Sequence, residues 1–491
     1  MSITNKTINS SFLILITRLI QRSLGIISLL VLVRLLSPED FGVVAIASMV
    51  VFFCDVLSET GAQQYLIQKE TLERDDINSA WTLNFTFKTS LAIILFFVAP
   101  WISIFFENTT LTLPIQTLCI ILPISAFTSP GMILLKREFT YQPILRLFTA
   151  EKIVSVIFSI SLTFILETYW AMIFGVIFSF SFRAIGSYFV HGYRPSFCIK
   201  QVSNQWQFSK WMLFKAMVGY SKSEMDTVFI MKFFGLSALG GYNLMKNLSM
   251  IPGREIIQPL TEPLLSAFSR SRDDVANFQT QIINSLITLL FITSPICLML
   301  FEYDVAIVNV FFDEEWYSYA PILGFLSVFI INYTLIGVLQ ESLIAIGKVK
   351  VMFYYDLVSL LITAGLLIVF FNDSLMEFTQ ARVLIAVCFV IVLCLIIKMT
   401  VGFSLLRLVT LSIPIVGGAY ITSLVTNMFV FEIGIISLLI NLTVSSVTYL
   451  LSTVAIFYLL RPISFYKPFN SWVITTVENF IKSHKDKRGI A

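Results

Sequence analysis

Long apolar runs, each about as long as a membrane-spanning helix, recur from residue 10 to residue 460 and are separated by short polar breaks. A helix needs about 20 apolar residues to cross the hydrocarbon core of a bilayer. Hydrophobic residues make up 57% of the chain and charged residues only 13%, about half the charged fraction of a soluble domain. Because the runs are continuous rather than alternating with polar residues, they exclude a transmembrane β-barrel. The sequence therefore predicts an all-α polytopic membrane protein.

We predict about fourteen transmembrane spans. The first run, Ile8 to Val33, is too long for a signal-peptide core, so we expect a retained helix. Roughly 27 of the 33 Lys and Arg residues fall on one side of the spans, which predicts that this side and both termini are cytoplasmic. The spans are expected at 10–33, 41–65, 79–101, 113–135, 147–166, 169–190, 211–234, 237–265, 279–301, 320–345, 351–371, 381–399, 410–428 and 434–460.

Two stretches of the chain align without gaps at an offset of 198 residues. VRLLSPEDFGVV at 33–44 matches MKFFGLSALGGY at 231–242 and pairs Arg34 with Lys232 and Gly42 with Gly240, and Arg-Asp-Asp at 74–76 recurs at 272–274. A shared offset predicts duplicated halves related by an axis along the membrane normal. We expect two six-helix lobes in pseudo-two-fold repeat around a central cavity, followed by two extra C-terminal helices. The predicted divisions are an N-lobe at 1–195, a C-lobe at 196–400, two further spans at 401–461 and a basic amphipathic cytoplasmic tail at 462–491.

Charged and amide side chains recur at helical spacing along spans one, two, seven and eight. A charge at mid-bilayer costs about 2.5 to 3.5 kcal/mol on insertion scales, so such a face should meet water or substrate rather than lipid. Internal ion pairs, such as Arg22 with Asp55 or Lys222 with Asp226, are the alternative interpretation. The cations are Arg18, Arg22, Lys215, Lys222, Lys246 and Arg254, the amides are Gln63, Asn243, Asn247 and Gln258, and the carboxylates are Asp55, Glu59 and Asp226.

Span eight contains Pro252 and Gly253 directly before Arg254. This pair predicts an interruption of the helix, where backbone carbonyls would face a cavity.

The chain carries no recognisable catalytic, metal or nucleotide-binding motif. Its two histidines, His191 and His484, have no neighbouring ligand cluster. A phosphate-binding loop of the GxxxxGK type is missing, and the net charge of +3 is too small to favour a nucleic acid. We therefore expect a protein that is not an enzyme and that has no cofactor, no metal and no nucleic-acid partner.

Several motifs resemble those of a known family. The chain resembles the Wzx-type polysaccharide flippases, a branch of the multidrug/oligosaccharidyl-lipid/polysaccharide exporter superfamily, and most of all their colanic-acid-exporter-like members. The resemblance implies a bacterial inner-membrane protein that moves undecaprenyl-pyrophosphate-linked oligosaccharide repeat units from the cytoplasmic to the periplasmic leaflet by alternating access. The stretches that carry it are RLLSPEDFGVVAIASMVVFFCDVLSETGAQQYLIQKE, RDDINSAWTLN, LLKREF, FFDEEW and LIAIGKVK.

The resemblance also implies roles for the charged faces. The six cations would bind the pyrophosphate of a lipid-linked oligosaccharide, because Arg and Lys match its acceptor oxygens. The four amides would contact sugar hydroxyls, with hydrogen bonds to helix backbones as the alternative. The three carboxylates depart from a lining that only binds anions, and our hypothesis is that they couple transport to H⁺ or Na⁺. From their equivalent positions at the outer ends of the repeat, we expect Arg34 and Lys232 to form an outer gate by pairing with Glu39, Asp40 or acids of the opposite lobe, with snorkeling to lipid headgroups as the alternative. Polysaccharide polymerase or other assembly proteins are the implied partners.

Three other functions stay open. A multidrug-type small-molecule exporter of the same fold would prefer an acidic, aromatic cavity. The charged stripes here carry at least as many cations as carboxylates, which counts against this function. A lipid II flippase is chemically close to the first interpretation. A membrane scaffold for polysaccharide assembly enzymes would leave the charged stripes, which recur in both halves, without a purpose.

Overall fold

The computed structural model describes residues 3–58, 66, 69, 72–138, 140–200, 202–369, 374–428, 434–462 and 466. Within these residues the secondary structure is helical, with turns and short extended connections and no strand. Twelve helices in the described part of the chain are long and apolar enough to cross a membrane. The chain is therefore a multi-pass all-α membrane protein, as predicted.

Two compact units divide the chain, Met1–Leu244 and Met245–Ala491. The helices that begin in the first unit are α1 (Ile3–Val33), α2 (Pro38–Leu57), α3 (Arg74–Phe105), a 3-10 turn (Thr109–Leu111), α4 (Thr112–Leu118), α5 (Ile121–Ala126), α6 (Gly131–Arg137), α7 (Gln142–Leu166), α8 (Trp170–Val190) and α9 (Val202–Ser249). Those of the second are a π-helical turn (Gly253–Ile257), α10 (Gln258–Thr261), α11 (Leu264–Ser271), α12 (Val275–Glu302), α13 (Asp304–Phe311), a 3-10 turn (Glu314–Tyr319), α14 (Ala320–Ala345), α15 (Val349–Val369), α16 (Leu375–Val401), α17 (Leu405–Met428) and α18 (Ile435–Leu460). The lobe boundaries proposed from the sequence stay a prediction.

Large apolar side chains remain exposed along the long helices. On α3, for example, Phe97, Trp101 and Ile104 are each about two-thirds exposed. A soluble monomer rarely shows such contiguous apolar surface, whereas lipid tails solvate it without cost. The exposed apolar faces are therefore the lipid-facing surface, and the twelve candidate spans belong in the bilayer.

The predicted fourth span, 113–135, is not a single helix. The chain forms three short helices there, α4, α5 and α6, with turns between them. Pro123 lies inside α5 and Pro130 directly precedes α6. Proline lacks the backbone N–H that a continuous helix needs and clashes with the carbonyl four residues earlier. A span is supported at this place, because Thr109–Ala126 is among the twelve candidate spans, but its helix is interrupted and it ends before the predicted residue 135.

The interruption predicted in span eight is confirmed. Pro252 is followed by the π-helical turn at Gly253–Ile257, and α10 begins directly after it. π-Helical turns are among the usual causes of helix kinks. Arg254 lies within this turn. The total of fourteen spans stays a prediction. The twelve candidate spans do not include α1, and they count Leu213–Ser271, where two spans were predicted, as one.

Each unit is built on an antiparallel helix pair. In the first unit α7 and α8 pack together and α1 packs against α7. The turn between α7 and α8 is fixed by Asp40, whose carboxylate accepts a hydrogen bond of 2.9 Å from the backbone N–H of Tyr169. In the second unit α14 packs between α12 and α16, and α17 packs on α18. The core of this unit includes the fully buried side chains of Phe268 and Phe403.

The chain breaks its helices at equivalent places in the two aligned stretches. Ser37 caps α2: its hydroxyl accepts from the N–H of Asp40, and the Asp40 carboxylate accepts from the N–H of Ser37. This is a capping box, with Pro38 at the first helical position. The residue 198 positions after Ser37 is Gly235, which interrupts α9 with a φ of +83°. The offset found in the sequence therefore places two helix breaks in register.

The two segments that follow these breaks cross at their glycines. A Cβ on Gly42 would lie 2.0 Å from the carbonyl oxygen of Leu236, and one on Gly240 would lie 1.7 Å from that of Pro38. Leu236 is the equivalent of Pro38 at the offset of 198, so each glycine meets the same backbone group of the other copy. An exchange of this kind is the signature of a two-fold axis. The repeat predicted from the sequence therefore has a local two-fold crossing within the first unit.

Candidate functional site: charged faces of the spans

Asp55 on α2 pairs with Lys88 on α3. The Lys88 Nζ lies 2.6 Å from the Asp55 Oδ1 and donates a second hydrogen bond of 3.0 Å to the Ser125 hydroxyl. The Lys88 side chain is 13% exposed and that of Asp55 is 36% exposed. The suggested pairing of Asp55 with Arg22 is therefore wrong, because Lys88 reaches this carboxylate from the neighbouring helix.

A second charged group gathers around Glu151 in the first unit. Glu151 is buried on α7 and accepts hydrogen bonds from Arg183 at 3.2 Å, from Ser155 at 3.4 Å and, at closer range, from Ser179. Lys152 lies close enough to Arg22 and Arg183 to interact with both charges. Its side chain also passes Gly25 of α1, where an added Cβ would contact Lys152 Cε at 3.7 Å.

The four named side chains of this group comprise three cations and one carboxylate. We call Arg22, Glu151, Lys152 and Arg183 the α1–α7–α8 cluster. Of these residues the sequence patterns identified only Arg22 as a binding candidate, and Glu151 and Lys152 were missed because both lie close to the predicted inner end of span five. The signal that could have found them is the helical spacing of Glu151 and Ser155, which places two polar groups on one face.

Span seven carries predicted residues in contrasting surroundings. Lys215 is exposed, Lys222 is partly buried, and Asp226 is only 1% exposed. The Asp226 carboxylate accepts a hydrogen bond of 3.1 Å from the hydroxyl of Tyr242, which is fully buried. These two residues lie on opposite sides of the break at Gly235. Their hydrogen bond therefore fixes the two helical segments relative to each other.

The predicted stripe of span eight lies on the more exposed face of its helix. Lys246 and Asn243 are partly buried, whereas Asn247, Arg254 and Gln258 are exposed. The opposite stripe is buried and consists of Met245, Ser249, Gly253 and Ile257. The helical spacing read from the sequence therefore gives one polar face, and the π-helical turn carries Arg254 on it.

At the predicted outer end, Lys232 pairs with Glu107. The Lys232 Nζ lies 2.6 Å from the Glu107 carboxylate and donates a hydrogen bond of 2.9 Å to the carbonyl of Phe105. The hydrogen bond from Lys232, together with its charge, holds the pKa of Glu107 below its ordinary value. Arg34, in contrast, is exposed and makes no ion pair with any described residue. Asp40, suggested as its partner, serves the capping box.

The other predicted residues are placed as follows. Arg18 lies on α1 and is exposed. Glu59 and Gln63, together with the tail at 467–491, lie outside the described residues. Among the residues that are described, no group of three or more His, Cys, Asp or Glu side chains could hold a metal ion.

The chain matches known proteins over most of its length. A sequence model described as polysaccharide biosynthesis protein matches residues 31–321, more than half of the chain. The chain is 22% identical to the lipopolysaccharide biosynthesis protein WzxC of Escherichia coli, over 72% of this chain and 73% of that one. It is 21% identical to the teichuronic acid biosynthesis protein TuaB of Bacillus subtilis, over 73% of each chain. It is also 22% identical to the succinoglycan biosynthesis transport protein ExoT of Rhizobium meliloti, over 68% of each chain.

Two solved structures share the fold. The lipid II flippase MurJ in an inward closed conformation superimposes with a TM-score of 0.71 at 17% identity, covering 91% of this chain and 98% of that one. A multidrug resistance MATE family transporter in its inward-facing conformation gives 0.60 at 14% identity, covering 77% and 94%. At these identities the likeness establishes the fold alone.

Proposed function

The chain belongs to the polysaccharide biosynthesis protein family, and we propose that it is a flippase for polyprenyl-linked oligosaccharides. In this proposal it moves undecaprenyl-pyrophosphate-linked repeat units from the cytoplasmic to the periplasmic leaflet of a bacterial inner membrane by alternating access. Both termini then lie in the cytoplasm, and no covalent bond of the substrate is made or broken. Family membership and the fold shared with two transporters of known structure support this proposal.

The observation that carries the proposal is the α1–α7–α8 cluster. Arg22, Lys152 and Arg183 gather around Glu151 among the membrane spans, where a group of charged side chains is expected to face water or a charged ligand rather than lipid. A pyrophosphate bears several negative charges and many acceptor oxygens, which Arg and Lys bind through charge-assisted hydrogen bonds. Arg22 and Lys152 are therefore the residues we assign to the pyrophosphate. Lys215, Lys222, Lys246 and Arg254 are proposed to hold it at later stages.

The outer gate is proposed to close where Gly42 crosses Gly240. Backbone contact without side chains lets two helices approach closely, and Gly240 lies on the same helix, α9, as Lys232, which pairs with Glu107. Opening toward the periplasm would separate both contacts. In this proposal Lys232 holds the gate closed by its ion pair with Glu107. Arg34 is assigned to the gate only because it occupies the equivalent position in the repeat.

We assign the coupling ion to Asp55. Protonation of this carboxylate would weaken its pairing with Lys88 and release a cation within the membrane. Purified Asp55→Asn protein should therefore transport at a rate that no longer responds to a pH gradient. A response equal to that of the wild type would contradict coupling at this residue.

Purified protein in liposomes gives a direct test of the function. A fluorescent undecaprenyl-pyrophosphate oligosaccharide is placed in both leaflets, and its exposure to an impermeant quencher is followed over time. Removing one charge-assisted contact should slow flipping by about tenfold. We expect this for Arg22→Gln and Lys152→Gln but not for Lys350→Gln, a control at an exposed lysine of α15.

The same assay distinguishes the alternatives. Flipping of lipid II in preference to the oligosaccharide substrate would identify the peptidoglycan precursor as the cargo. Export of a cationic dye without lipid flipping would support the multidrug interpretation. A well-folded protein that moves none of these would support a scaffold.

A further inference from the structure

A cavity of about 200 Å³ lies inside the first unit, between α3, α5, α6, α7 and α8. It is separate from the faces assigned to the substrate, except that Arg183 lines it as well as belonging to the α1–α7–α8 cluster. Lys136 lines the cavity from the last turn of α6. The distribution of Lys and Arg along the sequence predicts that this part of the chain lies at the cytoplasmic side. A water molecule occupies about 30 Å³ of the liquid, so the cavity has room for a polyatomic group.

The charge of this cavity is positive. Lys136 and Arg183 both line it, and none of its described lining residues is acidic. Arg183 is held in place by Glu151 and by the ring of Phe148, whose centroid lies 4.9 Å from its guanidinium carbon. Burial lowers the pKa of the Lys136 ammonium. An anion in the cavity would offset that unfavourable burial.

Two buried N–H donors line the same space. Trp81 is 8% exposed, and its indole N–H has no hydrogen-bond partner among the described residues. Within the same part of the chain, the buried Nε of Arg183 also has no acceptor. The partly exposed side chains of Asn84 and Thr128 add further polar groups to the lining. Unpaired buried donors are unfavourable, and an acceptor-rich ligand that they reach by small side-chain rotations would satisfy them.

We propose that this cavity binds a phosphate group, supplied by an anionic lipid headgroup or by free phosphate. Two cations, two buried N–H donors and no carboxylate on the described walls match a ligand that is negatively charged and rich in acceptors. A metal ion would instead need carboxylates. The aromatic side chains of Trp81 and Phe148 on the walls would pack against the apolar part of a lipid, which free phosphate lacks. Arg183 is shared with the α1–α7–α8 cluster, so the test variants are placed at Lys136 and Thr128, which are not part of that cluster.

Two binding measurements test the proposal and separate the two sources. In nanodiscs of phosphatidylcholine, radiolabelled inorganic phosphate is titrated onto the full chain. In vesicles containing phosphatidylglycerol, native mass spectrometry counts the anionic lipids that stay bound after extraction. Lys136→Gln and Thr128→Val each remove one contact and are expected to weaken binding by about tenfold. Lys350→Gln makes the same change as the first variant at an exposed site and should have no effect.

Each outcome decides the proposal. Weakened phosphate binding in both cavity variants supports a site for free phosphate, and loss of one retained phosphatidylglycerol supports a lipid site. Wild-type protein that binds neither probe, or an equal effect in Lys350→Gln, overturns it. If Lys136→Gln does not fold, Thr128→Val decides, since it keeps the side-chain volume and removes only a hydroxyl. Unchanged flipping by Thr128→Val would show that the site is separate from transport.

Discussion

A methyl group at the glycine crossing should hold the outer gate open. A Cβ on Gly42 would lie 2.0 Å from the Leu236 carbonyl oxygen, and real Cβ contacts essentially never fall below 3.0 Å. The segments must therefore separate by at least about 1.0 Å in Gly42→Ala and about 1.3 Å in Gly240→Ala, where the distance is 1.7 Å. The obstacle is backbone, so no side-chain rotation relieves it. Overpacking of this kind costs about 1 to 3 kcal/mol.

That cost falls only on the state in which the segments touch. The population of the closed state should therefore decrease about 5- to 150-fold relative to the open state. Spin labels at Glu39 and Ser237, which are exposed and equivalent at the offset of 198, report the distance between the two crossing segments by pulsed electron paramagnetic resonance. We expect a longer distance to gain population in either glycine variant, and flipping of the oligosaccharide to slow accordingly.

Gly219→Ala is the matched control for both variants. It makes the same change within α9, at a position where an added Cβ meets nothing within 4 Å. The control should flip substrate at the wild-type rate and leave the spin-label distance unchanged. The reasoning is refuted if Gly42→Ala and Gly240→Ala behave like this control, because the contact would then have no part in closure.

Two ion pairs give further predictions. Lys232 holds the pKa of Glu107 below its ordinary value, so this pair stabilises the fold above that value and the contribution is lost as pH falls through the folded pKa. The thermal midpoint of Glu107→Gln should therefore lie below that of the wild type at pH 7, and the difference should disappear as the pH falls through the folded pKa of Glu107. A deficit that does not change with pH would contradict the linkage. Lys88→Met leaves Asp55 without its cation and should cost about 1 to 3 kcal/mol of stability. The double variant Lys88→Met/Asp55→Asn should recover most of the lost free energy of unfolding, as measured by thermal unfolding. If the losses of the two single variants simply add, Lys88 and Asp55 are not directly coupled.

Sequence periodicity predicted the fold class and the polar faces because both depend on local spacing. The exposed stripe of Asn247, Arg254 and Gln258 and the buried stripe of Met245 and Ser249 follow from 3.6 residues per turn alone. The kink at Gly253 was predictable for the same reason, since proline and glycine act on their own backbone. Apolar runs likewise predicted the spans, because a bilayer selects for length and hydropathy.

Contacts between helices could not be predicted in this way. Nothing in the spacing of Lys88 indicates that it reaches Asp55 rather than lipid headgroups, because the choice depends on how α3 packs against α2. Glu151 and Lys152 were missed since a charged pair near a helix end is usually solvated. The break in the fourth span was missed because its prolines lie in a run that is otherwise apolar enough to cross. In each case the observed structure was determined by packing between helices or by the backbone chemistry of proline, neither of which hydropathy reports.

The glycine crossing also accounts for how the two copies diverged. Among the twelve aligned residue pairs of 33–44 and 231–242, Gly42 and Gly240 form the only identical one. The two helix breaks beside them differ in chemistry, a capping box at Ser37 and a positive φ at Gly235. Several kinds of residue can break a helix, but only glycine allows this backbone contact. A side chain at position 42 or 240 would meet a backbone carbonyl of the other segment. The two-fold axis therefore constrains both positions at once. A crossing held by backbone alone also leaves the helices free to part without breaking side-chain packing, as alternating access requires.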